Sequence, residues 1–199
     1  MADDAAEPAQ PKSAPADRQT AGPFDVEEAP AVPYVDLGGL RIATREGLGL
    51  RVEVEESTKR VVAVGLEYAG STLQLQAFAA PRSSGLWHEI REQISGQIAK
   101  QGGRTSLEYG VFGPEVRAEF PVAAADGSTQ RRRARFIGVD GPRWFLRGVI
   151  GGRALDDASA ADGIEQLYRS VVVVRGQSPM PPRDLIPLNV PNLPTGRQA

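Results

Sequence analysis

Three successive segments of this chain alternate apolar and polar residues with a period of two. In LGLRVEVEE, Leu48, Leu50, Val52 and Val54 are separated by Gly49, Arg51, Glu53 and Glu55. In VVAVGLEY the apolar set is Val62, Val64, Leu66 and Tyr68; in TLQLQAFAA it is Leu73, Leu75, Ala77 and Ala79. Period two with one polar face is the mark of a half-buried strand. The links, at Ser57-Thr58-Lys59 and Gly70-Ser71, are hairpin-length, so neighbouring strands must run antiparallel. Parity constrains the second hairpin: an even-numbered inward set meets an odd-numbered one, so the loop holds an even number of residues. A turn at Gly70-Ser71 puts glycine where positive φ is needed and pairs Tyr68 with Leu73 and Leu66 with Leu75.

Pro81 ends the third strand. In SSGLWHEIREQISGQIAKQGG, Leu86, Ile90, Ile94 and Ile98 recur every four residues, which predicts a helix. Ser83 or Ser84 is the expected N-cap and Gly102-Gly103 the stop. Gly96, inside the helix, predicts a close packing contact. RTSLEYG and PEVRAEFPVA read as two further strands. The 3.6-residue spacing of Ile164, Leu167, Tyr168, Val171 and Val172 predicts a second helix, and Val171–Val174 fits either its extension or a strand. A short strand at Leu40–Ala43 completes the set. The expected fold is α+β: a mainly antiparallel sheet of about seven or eight strands with two helices packed on it. Covering of the outer apolar residues would make it a helix–sheet–helix sandwich.

The stretch RRRARFIGVDGPRWFLRGVIGG, residues 131–152, joins a core anchor to the strongest basic cluster. Read by parity with a three-residue turn at Asp140-Gly141-Pro142, it pairs Phe136 with Leu146, Ile137 with Phe145 and Arg135 with Arg147. A loop at Asp126–Ser128 then places Glu119 opposite Arg135. Trp87, Phe120, Phe136, Trp144 and Leu146 are the expected core anchors. Arg131, Arg133, Arg135, Arg143 and Arg147, with Phe145 among them, form the candidate binding surface on the opposite face. One reading is a charged outer face neutralised by Glu115 and Glu119; another is a site for an anionic or nucleic-acid partner. In a third, the second helix or the C-terminal segment covers Ile137, Phe145 and Val149.

The ends differ in composition. Residues 1–36 hold nine Ala, six Pro, eight Asp or Glu and only two Lys or Arg. So little apolar surface predicts a disordered acidic tail over 1–35, with Phe24 and Val26 as a short docking motif for a partner or for the domain itself, or as part of an acidic solubilising tail. A single domain is expected over 36–176. Residues 177–199 are proline-rich yet carry Met180, Leu185, Ile186, Leu188, Val190 and Leu193, which predicts an extended strap. A net charge of −2 gives no global attraction to nucleic acid or anionic membrane. With no apolar run of membrane-spanning length and an acidic rather than basic N-terminus, a cytoplasmic protein without membrane contact is expected.

The chain has no cysteine and one histidine, His88, whose nearest expected partner is Glu92. That residue set excludes thiol chemistry and any multi-histidine metal site. No nucleophile elbow, dinucleotide fingerprint or phosphate-loop motif occurs. Catalytic residues, metal and cofactors are therefore all expected to be none. The stretches RFIGVDGPRWFLRGVIGG, LQLQAFAAPRSSGLWHEIREQI and VVVVRGQSPMPPRDLIPL together resemble the DUF3710 family, a domain of unknown function known mainly from actinobacterial genomes. The similarity runs roughly from Phe24 to Val190. It carries over no activity, cofactor or catalytic residue, implies a soluble intracellular protein, and suggests that Met180–Leu188 belongs to the domain. The expected function is a non-catalytic binding or adaptor module with an unidentified protein partner. A nucleic-acid-associated protein using the arginine row and an enzyme of unknown class are the alternatives.

Overall fold

The computed structural model describes residues 9–190. In chain order the first elements are α1 (Arg18–Ala21), β1 (Phe24–Asp25), β2 (Tyr34–Asp36) and β3 (Leu40–Ala43). There follow β4 (Gly49–Val54), β5 (Val61–Tyr68), β6 (Ser71–Ala79), α2 (Trp87–Lys100), β7 (Arg104–Gly110) and β8 (Gly113–Ala123). The last are β9 (Thr129–Asp140), β10 (Trp144–Gly152), α3 (Ala158–Arg169) and β11 (Val172–Val173). The main sheet has seven antiparallel strands in the order β4-β5-β6-β10-β9-β8-β7. A small sheet, β1-β11-β3-β2, sits beside it. Among the described residues no helix is long and apolar enough to cross a membrane.

The expected α+β class and the two long helices are present, and each helix takes one face of the sheet. Tyr168, Ile164 and Leu167 of α3 pack on Leu66, Leu75, Leu146 and Ile150. The Tyr168 hydroxyl donates to the Leu146 carbonyl at 2.8 Å, satisfying the one polar atom that this fully buried ring carries. On the other face α2 packs against β7, β8 and β9. There Trp87 stacks on Phe145 at 5.6 Å and donates its indole N–H to the Pro114 carbonyl at 2.6 Å. Gly138 makes this stack possible: a Cβ there would lie 2.6 Å from the Trp87 ring. Trp87, Trp144 and Leu146 are fully buried, whereas Phe120 and Phe136 are half-buried at the rim of the α2 cluster.

The alternating strands keep the expected inward sets except at the end of the β4–β5 pair, where a bulge at Glu53/Val54 leaves Val54 exposed and turns Val61 rather than Val62 to the core. Three hairpins differ in register. Tyr68 pairs with Ser71 and Leu66 with Leu73, because the turn is Ala69-Gly70, both residues at positive φ. The β8–β9 loop spans residues 124–128 rather than 126–128, so Glu119 faces Arg133 and Arg117 faces Arg135. Both shifts are by two residues and leave the faces unchanged. The β9–β10 connection does not. Its last pair is Asp140↔Phe145, which leaves Gly141–Trp144 as a four-residue link and sets Arg135 against Ile150 and Phe136 against Val149. Ile137 and Val139 therefore share the α3 face with Leu146, and Phe136 shares the α2 face with Phe145 and Arg147.

The cause is Asp140. The sequence makes it a turn residue, but its buried carboxylate is occupied elsewhere. It accepts the Leu86 N–H at 2.8 Å at the start of α2 and the Ser13 N–H at 2.9 Å. Neither Ser83 nor Ser84 caps α2; the cap comes from a strand fifty residues later in the chain. Gly96 makes no close contact either, since a Cβ there would meet open space.

The acidic segment expected to be disordered through residue 35 is tied to the domain from Gln10 onward, whose carbonyl accepts the Gly85 N–H; residues 1–8 lie outside the described residues. Its few apolar and charged groups are concentrated where they find partners. Phe24 is buried, and β1 pairs in parallel with β11. Arg18 is buried over the Trp144 ring and bound to Glu28 at 2.7 Å. Asp25 accepts the Trp144 indole N–H at 2.9 Å. At the other end the proline-rich strap lies against β6: Arg183 N–H donates to Ala79 O and Ile186 N–H to Ala77 O. Ile186 and Leu188 are buried, while Leu193 lies outside the described residues. Val172–Val173 is strand, which settles the alternative left open for that run.

Glu28 supplies a pH-dependent part of this docking. Burial opposes its ionisation, but Arg18 and the Asp25 N–H outweigh that and hold its carboxyl below the ordinary 4.5. Its contribution is present above the unfolded-state value and is lost as pH falls through the lower folded-state value. Glu28→Gln is therefore expected to lower Tm near neutral pH, with the gap from wild type closing in thermal denaturation as the pH falls through the lowered folded-state value.

Candidate ligand-binding groove

The arginine row does not exist as a single surface. Arg131, Arg133 and Arg135 lie on the α3 side of the sheet, Arg147 and Phe145 on the α2 side, and Arg143 in the β9–β10 link. The first three are neutralised. Arg131 binds Glu119 at 2.8 Å, and Arg133 makes a two-pronged contact with Asp156. Arg135, expected on an outer face, is 3% exposed and bridges Glu115 at 2.8 Å and Glu165 of α3 at 2.6 Å. Burial alone would lower the Arg135 value; the two carboxylates outweigh it and hold it above the ordinary range. Glu115 itself is 2% exposed, so removing the arginine would strand a buried charge. Arg135→Met is expected to destabilise the fold by about 3–5 kcal/mol, read as a shift in the denaturation midpoint, while Arg131→Ala should barely move it.

Arg147 has a different environment. α2 covers the β7–β9 end of its face and, at Phe78, the end of β6, and leaves β4, β5 and the rest of β6 open. There the sheet forms a groove of about 270 Å³. Gly65 and Gln74 line its middle, Phe136 and Val149 give it an apolar wall, and Arg51 and Arg132 stand at opposite sides. Arg147 lines the groove and has no carboxylate within ion-pair distance among the described residues. Its Nε is buried without a hydrogen-bond partner, and burial pushes the guanidinium below its ordinary value. Arginine remains charged under such a shift.

Two neighbours fix the orientation of Arg147. The Gln76 carbonyl accepts from its Nη2, while the Gln76 amide donates to the Val62 carbonyl at 3.1 Å. The guanidinium carbon also lies 5.7 Å from the centre of the Phe78 ring. Elsewhere in the groove Arg51 binds Glu67 at 2.8 Å, and Gln74 donates to Glu53 at 2.6 Å. Arg132 is exposed and has no acidic partner among the described residues. The arrangement can hold a group that combines a negative end with an apolar body, because the planar fork of arginine matches a carboxylate or phosphate.

Gln76, Arg51 and Arg132 were not among the candidates read from the sequence. The available signal was Gln74 and Gln76 on the outer face of β6. β6 lies inside the sheet, and polar side chains there imply that no helix covers them. The remaining candidate positions are structural or peripheral. Phe145 is fully buried between Phe78 and Trp87. Arg143 faces the N-terminal segment beside Arg175, and its own carbonyl accepts from Ala80. His88 sits on exposed helix surface, with Nε2 3.4 Å from Glu92.

These features define an α+β domain built on a curved seven-stranded antiparallel sheet with one open quarter. The chain belongs to the family described as Protein of unknown function (DUF3710), whose model matches residues 22–196, in accord with the resemblance read from its motifs. No curated protein matches it. Among solved structures the chain is similar to the solution structure of cyanobacterial PsbP (CyanoP) from Synechocystis sp. PCC 6803. The TM-score is 0.41 and the identity 11%, over 73% of this chain and 96% of that one.

Proposed function

We propose that the protein is a cytoplasmic, non-catalytic binding module for a protein partner, and that the partner's contact is an acidic residue seated on Arg147. The observation that carries this reading is the state of Arg147. A desolvated guanidinium with no anionic partner has an unmet electrostatic need, and an incoming carboxylate meets it at little cost in side-chain ordering. Gln76 and Phe78 already hold the fork in one orientation. The wall of Phe136 and Val149 suits an apolar or aromatic residue next to the acid, and Arg132 at the rim favours further negative charge. The nucleic-acid alternative draws on a contiguous arginine surface, and that surface is divided between two faces and largely paired with Glu115, Glu119 and Asp156.

The test is a titration of the full chain, observed by amide chemical shifts, with a short peptide bearing phenylalanine between glutamates. The expected result is saturable perturbation around Gln74, Gln76 and Val149, weakened at least about tenfold in Arg147→Met, a change that keeps the bulk and removes the fork. The corresponding glutamine peptide should bind weakly or not at all. Perturbation elsewhere, or binding unchanged in Arg147→Met, would sink the assignment.

A further inference from the structure

β7 is the last strand of the main sheet, and its outer edge, which pairs with no further strand among the described residues, is unusually apolar. Leu107, Tyr109 and Val111 are 54%, 80% and 51% exposed, three large apolar residues within five positions. Proteins normally blunt such an edge with charge, proline or a covering element.

The backbone groups on that edge can be identified from Pro114. Proline has no N–H, so its pair with Tyr109 is of the type that exchanges no hydrogen bonds. Alternation along the ladder makes Leu107↔Val116 and Thr105↔Ala118 the same type. The N–H and C=O groups of Thr105, Leu107 and Tyr109 therefore point off the sheet. No backbone partner meets them among the described residues.

We infer that β7 is the contact between two copies of this chain, which pair their β7 strands antiparallel and extend one sheet across both. Charge selects the partner and the register. Pairing Thr105 with the second copy's Leu107 matches outward-pointing groups on both strands. It also sets Arg104 opposite Glu108 twice and Ser106 opposite itself. A slip of one pair in one direction removes both opposite-charge pairs by placing Arg104 against Gly110; the next slip sets Glu108 against Glu108. Within the chain, Arg117 binds Glu108 at 2.8 Å and Arg104 lies 3.3 Å from Glu119. The selected register joins these into two symmetry-related rows of alternating sign, Arg117–Glu108–Arg104–Glu119, each crossing the interface once. On the other face Leu107 and Tyr109 of each copy are covered by the second strand and the rim beside α2.

Sedimentation equilibrium of the full chain reads this directly. Wild type is expected to be a dimer at about 100 µM. Leu107→Pro removes an outward N–H without removing a hydrogen bond inside the chain, and should shift the protein to monomer with its fold intact. Arg104→Glu and Glu108→Arg should each weaken the dimer at least about tenfold, and the two together should restore it to within about threefold. Restoration by the double reversal is the readout that a merely structural role for these residues would not give. A monomeric wild type, or a dimer indifferent to Leu107→Pro, would overturn the inference; a monomer that binds an extended peptide along β7 would assign the edge to a different partner.

Discussion

The carboxylate of Asp140 connects more of this structure than any other single group. It ends β9, caps α2 through the Leu86 N–H, and holds the N-terminal segment through Ser13. The Lys12 ammonium beside it also reaches the carbonyls of Gly141 and Pro142. Burial raises the carboxyl above its ordinary value, and the N–H donors and Lys12 offset only part of that. A buried acid in this position is tolerable because its oxygens are supplied with donors. The geometry has two results. It fixes α2 on one face of the sheet at its Trp87 end, and it keeps Asp140 in the strand, which sets the side-chain parity of β10.

Most of the fold was legible in the sequence because most of it obeys local rules. The alternation in β4, β5 and β6 predicted their buried faces, and the spacing of Ile90, Ile94 and Ile98 predicted α2. What was not legible depended on contacts distant in sequence. Asp140-Gly141-Pro142 carries strong turn chemistry, and nothing near it reveals that Leu86 and Ser13 claim the aspartate. The resulting one-step change in parity moved Phe145 and Arg147 to the α2 face and separated them from Arg131, Arg133 and Arg135. The N-terminal segment departs from its average composition for a related reason. Its average composition is that of a disordered tail, but Arg18, Phe24, Asp25 and Glu28 each meet a specific partner around Trp144 and β11. Averages conceal a few well-placed residues.

The candidate site was half legible. Arg147 was singled out for its charge, yet charge is what it shares with arginines that do something different. Arg135 is a buried structural cation with two carboxylates; Arg147 is a desolvated cation with a glutamine and an aromatic ring. The distinction lies in which face a residue occupies and in what covers that face. Coverage follows from the length and position of α2, which reaches β7, β8 and β9 but not β4 or β5. The groove is the part of the sheet that a fourteen-residue helix leaves uncovered.

The position of the proline-rich strap bears on how the chain acquires its structure during synthesis. Ile186 and Leu188 are core residues, and the strap's hydrogen bonds to Ala77 and Ala79 continue β6 beyond the stretch paired with β5. β1 also depends on a late element, since Phe24 aligns with Val172. A nascent chain that has emerged only through α3 thus lacks the strand partner of β1 and one boundary of its core. Contacts across such sequence separations raise contact order, which favours slow folding that completes only when the strap is available.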